Sequence, residues 1–455
     1  MTNNEVSTRK RQKLRIYYAL IAVFIIVVGA FLVFRIGVSS KLEARIDAIR
    51  AAGYPVTLAE LNAWYTIPAS AENGADYMID AFSYYEKLHD AADPNLAQKV
   101  YNAELPARTE PISEETKNLI AQYIGDNQQA LKLLHKGAAA EHSRYPVDFT
   151  AGFAALMPYL SEIRDAARLL KLEAVLHAEN AEPQLATDSV ISGFGLARSL
   201  AKEPLLISQL VRVACQALAI STLEQVINRT ELTDQQLAEL GQCIANAEDL
   251  SDMSVGFVGE RCMGISFFKE PEPVGPGPVG SMPATPILSL YRATGLVDKS
   301  ALIYLDMMEG CIEAARLPPH QRQKAIDAAQ AKLATTSKIH VLLHMLAPGF
   351  SRVTTLDIRS IAQLRTARVG LAIQRYHLAT SKLPDALADL APIYLDAVPK
   401  DPFDGNDLRY RKLETGFVVY SIGEDGSDDD GKERPPKQQT GSEPANYDVT
   451  FVVER

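Results

Sequence analysis

The sequence predicts a mainly α protein with a short antiparallel sheet near its C-terminus. An uncharged apolar stretch, Ile16–Phe34, stands close to the start. A long middle region repeats apolar residues every three or four positions. Strand-like runs appear only after the last long helical segment. Many helices followed by a few strands read as an α region joined to an α+β module. The length, 455 residues, is too great for one ordinary core.

Ile16–Phe34 holds nineteen residues, so as a helix it rises about 28 Å, close to one hydrocarbon core. Arg9, Lys10, Arg11, Lys13 and Arg15 precede it, and Tyr17 and Tyr18 fall at its first interface. The basic tail, 1–15, is therefore expected in the cytoplasm. The chain after Arg35 is expected on the far side of the membrane. A cleaved signal peptide is the competing reading. The length of the stretch, and Arg35 following it without a small-x-small site, favour a retained anchor. The lipid bilayer is thus the first partner expected, through residues 16–34.

Residues 39–350 read as an extracytoplasmic helical region. A polar helix over 39–51 stops at Gly53-Tyr54-Pro55, and Thr57 with Glu60 has the spacing of a capping box. Tyr77–Leu88 is helical, with Tyr77, Phe82, Tyr84 and Tyr85 on one side. Residues 90–111 read as loop, and Ser113 opens a helix to about Lys136. Leu160, Ile163, Ala167, Leu170 and Ala174 form one apolar stripe. Thr187-Asp188 reads as the next helix start, ending near Lys202. Pro204 then takes a first helical position before Leu206, Leu210, Ala214, Leu218 and Val226. Thr233 and Gln236 form another capping box. Short turns between these helices imply antiparallel hairpins.

Glu270–Pro286, with its dense prolines and glycines, reads as a linker or surface loop. Helices resume over 298–315, 319–335 and 356–380. Strands follow at 408–412, 417–421 and 449–453, within a module spanning 355–455.

A net charge of −10 argues against a general nucleic-acid binder, which needs a basic face. No phosphate loop, nucleophile elbow or dinucleotide fingerprint is present. Cys215, Cys243, Cys262 and Cys311 have no zinc-like spacing. Cys215 and Cys243 lie on consecutive predicted helices, where a disulfide is chemically permitted; small buried thiols are the plainer reading. His340 and His344 are four apart, but without a third ligand they read as core or interface histidines. Asn228-Arg229-Thr230 matches a glycosylation pattern and equally a polar helix end. Gly193-Phe194-Gly195 reads as a site of close helix packing.

The segment Asp425–Gly431 is chemically more specific. It holds four carboxylates, Asp425, Asp428, Asp429 and Asp430, with glycines before and after them. Oxygen donors without His or Cys suit a hard cation such as Ca²⁺. A solvated acidic loop accounts for the same residues.

Residues 358–453 resemble the C-terminal half of a type II secretion major pseudopilin. The match runs through Tyr376, Lys382-Leu383-Pro384, Pro399-Lys400-Asp401-Pro402-Phe403, Tyr410, Ser421-Ile422-Gly423-Glu424-Asp425-Gly426 and Asp448-Val449. The resemblance implies structural Ca²⁺ held by Asp425, the Ile422 carbonyl and Asp448, with Asp428 and Asp430 as further ligands. The leader of a pseudopilin is missing, since Arg9–Arg15 stand where it would be. About 320 residues also separate the apolar stretch from the module. The whole layout resembles membrane-anchored bacterial envelope proteins that join an anchor, a helical region and such a module. The expectation is a non-enzymatic scaffold with envelope proteins as partners. A periplasmic enzyme with its site in a helical cleft is the alternative.

Overall fold

Helices dominate a computed structural model of the chain, which describes residues 3–91, 96, 99–100, 105–155, 157–269, 289, 291–346, 349–434 and 447–455. The Pro/Gly-rich segment 270–286 lies outside the described residues. Helix α1 (Asn3–Ala51) is continuous through the apolar stretch and the polar segment after it. Every side chain from Leu14 to Phe34 is exposed. A helix apolar on all faces and covered by nothing is a candidate membrane span.

Beyond Arg35 the same helix docks on the body. Leu42, Ile46 and Ile49 pack toward Val56, Ile265 and Leu305. Helix α2 (Leu58–Trp64) starts at Thr57, whose hydroxyl accepts the Glu60 N–H at 3.1 Å. Glu60 reaches back to the Val56 N–H at 2.8 Å, one residue earlier than a capping box would place it. Helix α3 (Gly74–Ala91) packs on α5 (Gln128–Ala139). One helix was expected from Ser113 to Lys136. The chain instead forms α4 (Glu114–Asp126) and then α5, because buried Asn127 breaks the run and turns its side chain onto the Tyr123 carbonyl.

Helices α6 (Tyr159–Glu179), α7 (Pro183–Arg198) and α8 (Leu206–Arg229) form the central hairpins. The start of α7 corrects the expectation at Thr187. Pro183 takes the first helical position, where its missing N–H costs nothing, and Thr187 is fully buried. Although α8 is long and apolar enough to cross a membrane, two thirds of its most apolar window is buried, so it is a core helix. Helix α9 (Asp234–Asp249) has the complete Thr233–Gln236 capping box. Helices α10 (Ser254–Lys269), α11 (Leu296–Ala315) and α12 (Pro319–Thr335) continue the body, with a single turn, α13 (Val341–Met345), after them.

Helix α14 (Phe350–Thr380) leads to strands β1 (Arg409–Lys412), β2 (Phe417–Ser421) and β3 (Val449–Val453). The sheet is antiparallel in the order β1-β2-β3, with Tyr410 opposite Val419 and Val419 opposite Phe451. Its inner face lies on α14. Gly370 permits this contact, because a Cβ there would sit 2.4 Å from the Phe451 ring. Leu364, Ile373, Phe417 and Phe451 share one buried cluster with Phe194, Leu223 and Leu240. The sheet and the central hairpins are therefore held by the same core.

Candidate functional site

The acidic segment leaves β2 and returns toward β3. Its base is organised by Asp401, which is 1% exposed. One Asp401 oxygen accepts from the Phe403 N–H (2.9 Å) and the Ser421 hydroxyl (2.8 Å). The other accepts from the Ile422 N–H (3.0 Å) and Arg409 (2.7 Å). Arg409 also donates to Asp404 at 2.6 Å, and its Nε lies 3.3 Å from Asp428. A single guanidinium thus serves three carboxylates, the fork geometry at which arginine excels.

The residues expected as ligands occupy different environments. Asp425 is exposed and accepts only the nearby Ser427 N–H at 3.1 Å. Asp428 accepts the Asp430 N–H at 3.1 Å and faces Arg409. Asp430 is exposed with φ +57°. Asp448 is 2% exposed. Its Oδ2 accepts the Gly431 N–H at 2.8 Å, while Oδ1 is buried and has no close hydrogen bond among the described residues. The Oδ2 of Asp429, a residue outside the expected ligand set, is also buried and has no hydrogen bond among the described residues.

Burial, with the Asp428 and Asp429 carboxylates nearby, pushes the Asp448 carboxyl up to about 6 against the pull of backbone N–H groups. Among the described residues, no three His, Cys, Asp or Glu side chains converge as a ready metal cage. Among the described residues the loop offers two buried carboxylate oxygens without a close hydrogen bond, of Asp429 and Asp448, with further carboxylates at its rim. This donor set is oxygen only, as a hard cation requires. The sequence gives Asp429 only as a loop carboxylate and Asp401 only as part of the pseudopilin-like pattern, and it assigns neither a ligand role; Arg409 carries no signal in it.

The loop is tied to the rest of the protein by charge. Glu424 pairs with Arg352 at 2.8 Å and Arg359 at 3.6 Å, both on α14. Arg108, on the strap before α4, meets Glu224 of α8 (2.8 Å), Glu433 (2.6 Å) and Glu454 (2.9 Å). Burial raises Glu224 to about 7 despite the Arg108 charge. Asn228 donates to the Val452 carbonyl at 2.9 Å and accepts the Glu454 N–H at 2.8 Å. Its amide thus ties α8 to the end of β3.

The remaining expectations resolve simply. All four cysteines are free; Cys215 belongs to one core cluster and Cys243 borders another, which keeps the pair unbridged. His340 is buried against Ser300 at 2.8 Å, whereas His344 is exposed. A Cβ on Gly195 would lie 2.3 Å from the Ala138 carbonyl, so that glycine does serve close packing.

Two arrangements in the helical body had no sequence signal. A cleft of about 840 Å³ opens between the α2 end, the α7–α8 turn and the α9–α10 junction. Trp64, Tyr65, Lys202, Asp249 and Arg316 are among its lining. Behind Tyr65 lies Glu203, fully buried, accepting from Tyr159 (2.7 Å), Tyr65 (3.2 Å) and Ser208. Burial raises the Glu203 carboxyl above its usual value. Separately, His135 bridges Ser192 (2.7 Å) and Glu173 (2.9 Å) beside a smaller surface hollow.

No family model, curated protein or solved structure matches the chain.

Proposed function

We propose that the chain is a non-enzymatic, membrane-anchored bacterial envelope protein whose C-terminal module carries a structural Ca²⁺ at the acidic loop. Residues 16–34 would cross the inner membrane once, with the basic tail in the cytoplasm and the body in the periplasm. The helical body would act as a scaffold for envelope partners. The pseudopilin-like pattern over 358–453 points to an assembly of the secretion type.

Asp448 carries the metal reading. A carboxylate at this depth with one oxygen lacking a close hydrogen bond among the described residues, beside a second such oxygen on Asp429, is costly unless a proton or a cation neutralises it. Asp425, Asp428, Asp430 and the Ile422 carbonyl would complete the oxygen shell by rearranging at the rim. Calorimetric titration of the full chain in detergent should show saturable Ca²⁺ binding, and its melting point should rise relative to chelator. No heat of binding with an unchanged melting point would remove the metal. For topology, a reporter fused after Glu60 should be active only outside the cytoplasm; cytoplasmic activity would reverse the orientation.

The cleft favours a second reading, a periplasmic enzyme or ligand-binding protein. Its size is that of small-molecule sites, and it combines aromatic and charged walls. Trp64 is the sole tryptophan, so its fluorescence reports on this cleft alone. A saturable change on adding periplasmic extract, lost in Lys202→Ala, would support this reading over the scaffold.

A further inference from the structure

A second pocket lies where α1 meets the body, immediately beyond the apolar stretch. It encloses about 230 Å³ between α1, the end of α10 and the start of α11. Arg35, Lys269 and Arg292 line it, against one acid, Asp298. Leu42 and Phe268 are among its apolar wall. Arg35 donates to the Arg292 carbonyl at 2.6 Å, and Arg292 donates to the Lys269 carbonyl at 2.8 Å. These bonds draw three cationic residues together, and among the described residues Arg35 and Arg292 make no further guanidinium hydrogen bond. Among the described residues, none of the three forms an ion pair with a carboxylate. Among the described lining residues, three positive charges beside one acid leave an excess of two. The low-dielectric wall strengthens their joint attraction for an anion. The N-terminus of α11, capped at Gly295, adds its positive end.

We infer that this pocket binds the phosphodiester headgroup of an anionic phospholipid. The inference rests on the reading of residues 16–34 as a membrane span. Arg35 is the first residue after that span, which places its guanidinium at headgroup height. The volume suits a headgroup and falls below that of most sites for larger ligands. The bound lipid would join α1 to α10 and α11 by neutralising cations from each side of the pocket.

The full chain, reconstituted in phosphatidylcholine nanodiscs with and without phosphatidylglycerol, tests this by native mass spectrometry. One phosphatidylglycerol should stay bound after phosphatidylcholine is stripped. The double variant R35Q/R292Q should weaken this retention by about tenfold or more. Lys269 is exposed, so K269Q tests the same charge without disturbing packing and should weaken retention in the same direction. Equal retention of both lipids would overturn the inference, as would retention unaltered in folded variants. Stabilisation by inorganic phosphate alone, without retained phosphatidylglycerol, would make the pocket a free-anion site and equally overturn it. Failure of the chain to enter any nanodisc would instead refute the membrane span.

Discussion

Replacing Asp448 by Asn should reverse its effect on stability according to whether Ca²⁺ is present. Raising the Asp448 pKa from its usual 3.8 to about 6 corresponds to about 3 kcal/mol against the ionised fold. Water on the outer side of the loop reduces that to roughly 1.5 kcal/mol. Because the folded value is raised, the Asp448 contribution to metal-free stability is fully present below about pH 4 and is lost as pH rises through about 6. At pH 7.5 in chelator the neutral amide avoids this cost, while its oxygen can still accept the Gly431 N–H.

Bound calcium would change the balance. At a hundred times its dissociation constant a cation stabilises the wild type by about 2.7 kcal/mol. For 455 residues the unfolding entropy is near 1 kcal/mol per kelvin, so each kcal/mol moves the melting point by about 1 °C. The variant should therefore melt about 1–2 °C above wild type in chelator and about 1 °C below it in calcium. Paired melts by scanning calorimetry read the crossing. A variant below wild type in both conditions, or equal calcium shifts in both proteins, would refute the reasoning. The calcium shift in the wild type should also shrink as pH falls below about 6, because protons then compete for Asp448.

Phe451→Ala should cost about 3–5 kcal/mol in a single unfolding transition, since Phe451 shares its core with α7, α8 and α9; two separated transitions in calorimetry would contradict the shared core. Arg108→Ala should destabilise by about 1–3 kcal/mol at pH 8 and less at pH 6, because Glu224, with its pKa raised to about 7, then takes a proton in place of the lost cation; pH-dependent melts measure the difference. Gly431→Ala should cost about 1–2 kcal/mol, since its φ of +74° disfavours a Cβ, and a Cβ there would press on Tyr420 and Val418; its melt should also lose part of any calcium shift.

Local chemistry made some of the fold legible. The bounds of α12, β2 and β3 follow from proline placement and from short runs of β-branched and aromatic residues. The Thr233–Gln236 box marks α9 because both of its bonds are local. The break at Asn127 was hidden, since the apolar pattern continues across it and only a buried side-chain bond shows it. The Thr187 start failed because a threonine before an aspartate resembles a cap, while Pro183 was the stronger signal. For the candidate site, composition pointed to the acidic loop but could not rank its carboxylates. Burial separates Asp448 and Asp429 from Asp425, and burial depends on strands that close over the loop. The ties from Arg108 to Glu433 and Glu454 join residues over three hundred positions apart, beyond any periodicity.

The unbroken course of α1 limits where this protein can work. With residues 16–34 in a bilayer, residues 35–51 rise only about 25 Å and pack on the body along the way. Arg45 pairs there with Asp306 and Glu309 of α11. No slack tether intervenes, so the body cannot swing outward to search for distant partners. It would ride as a fixed turret on the membrane, turning with its anchor. Whatever met its surfaces would then have to come to the bilayer, or already live there.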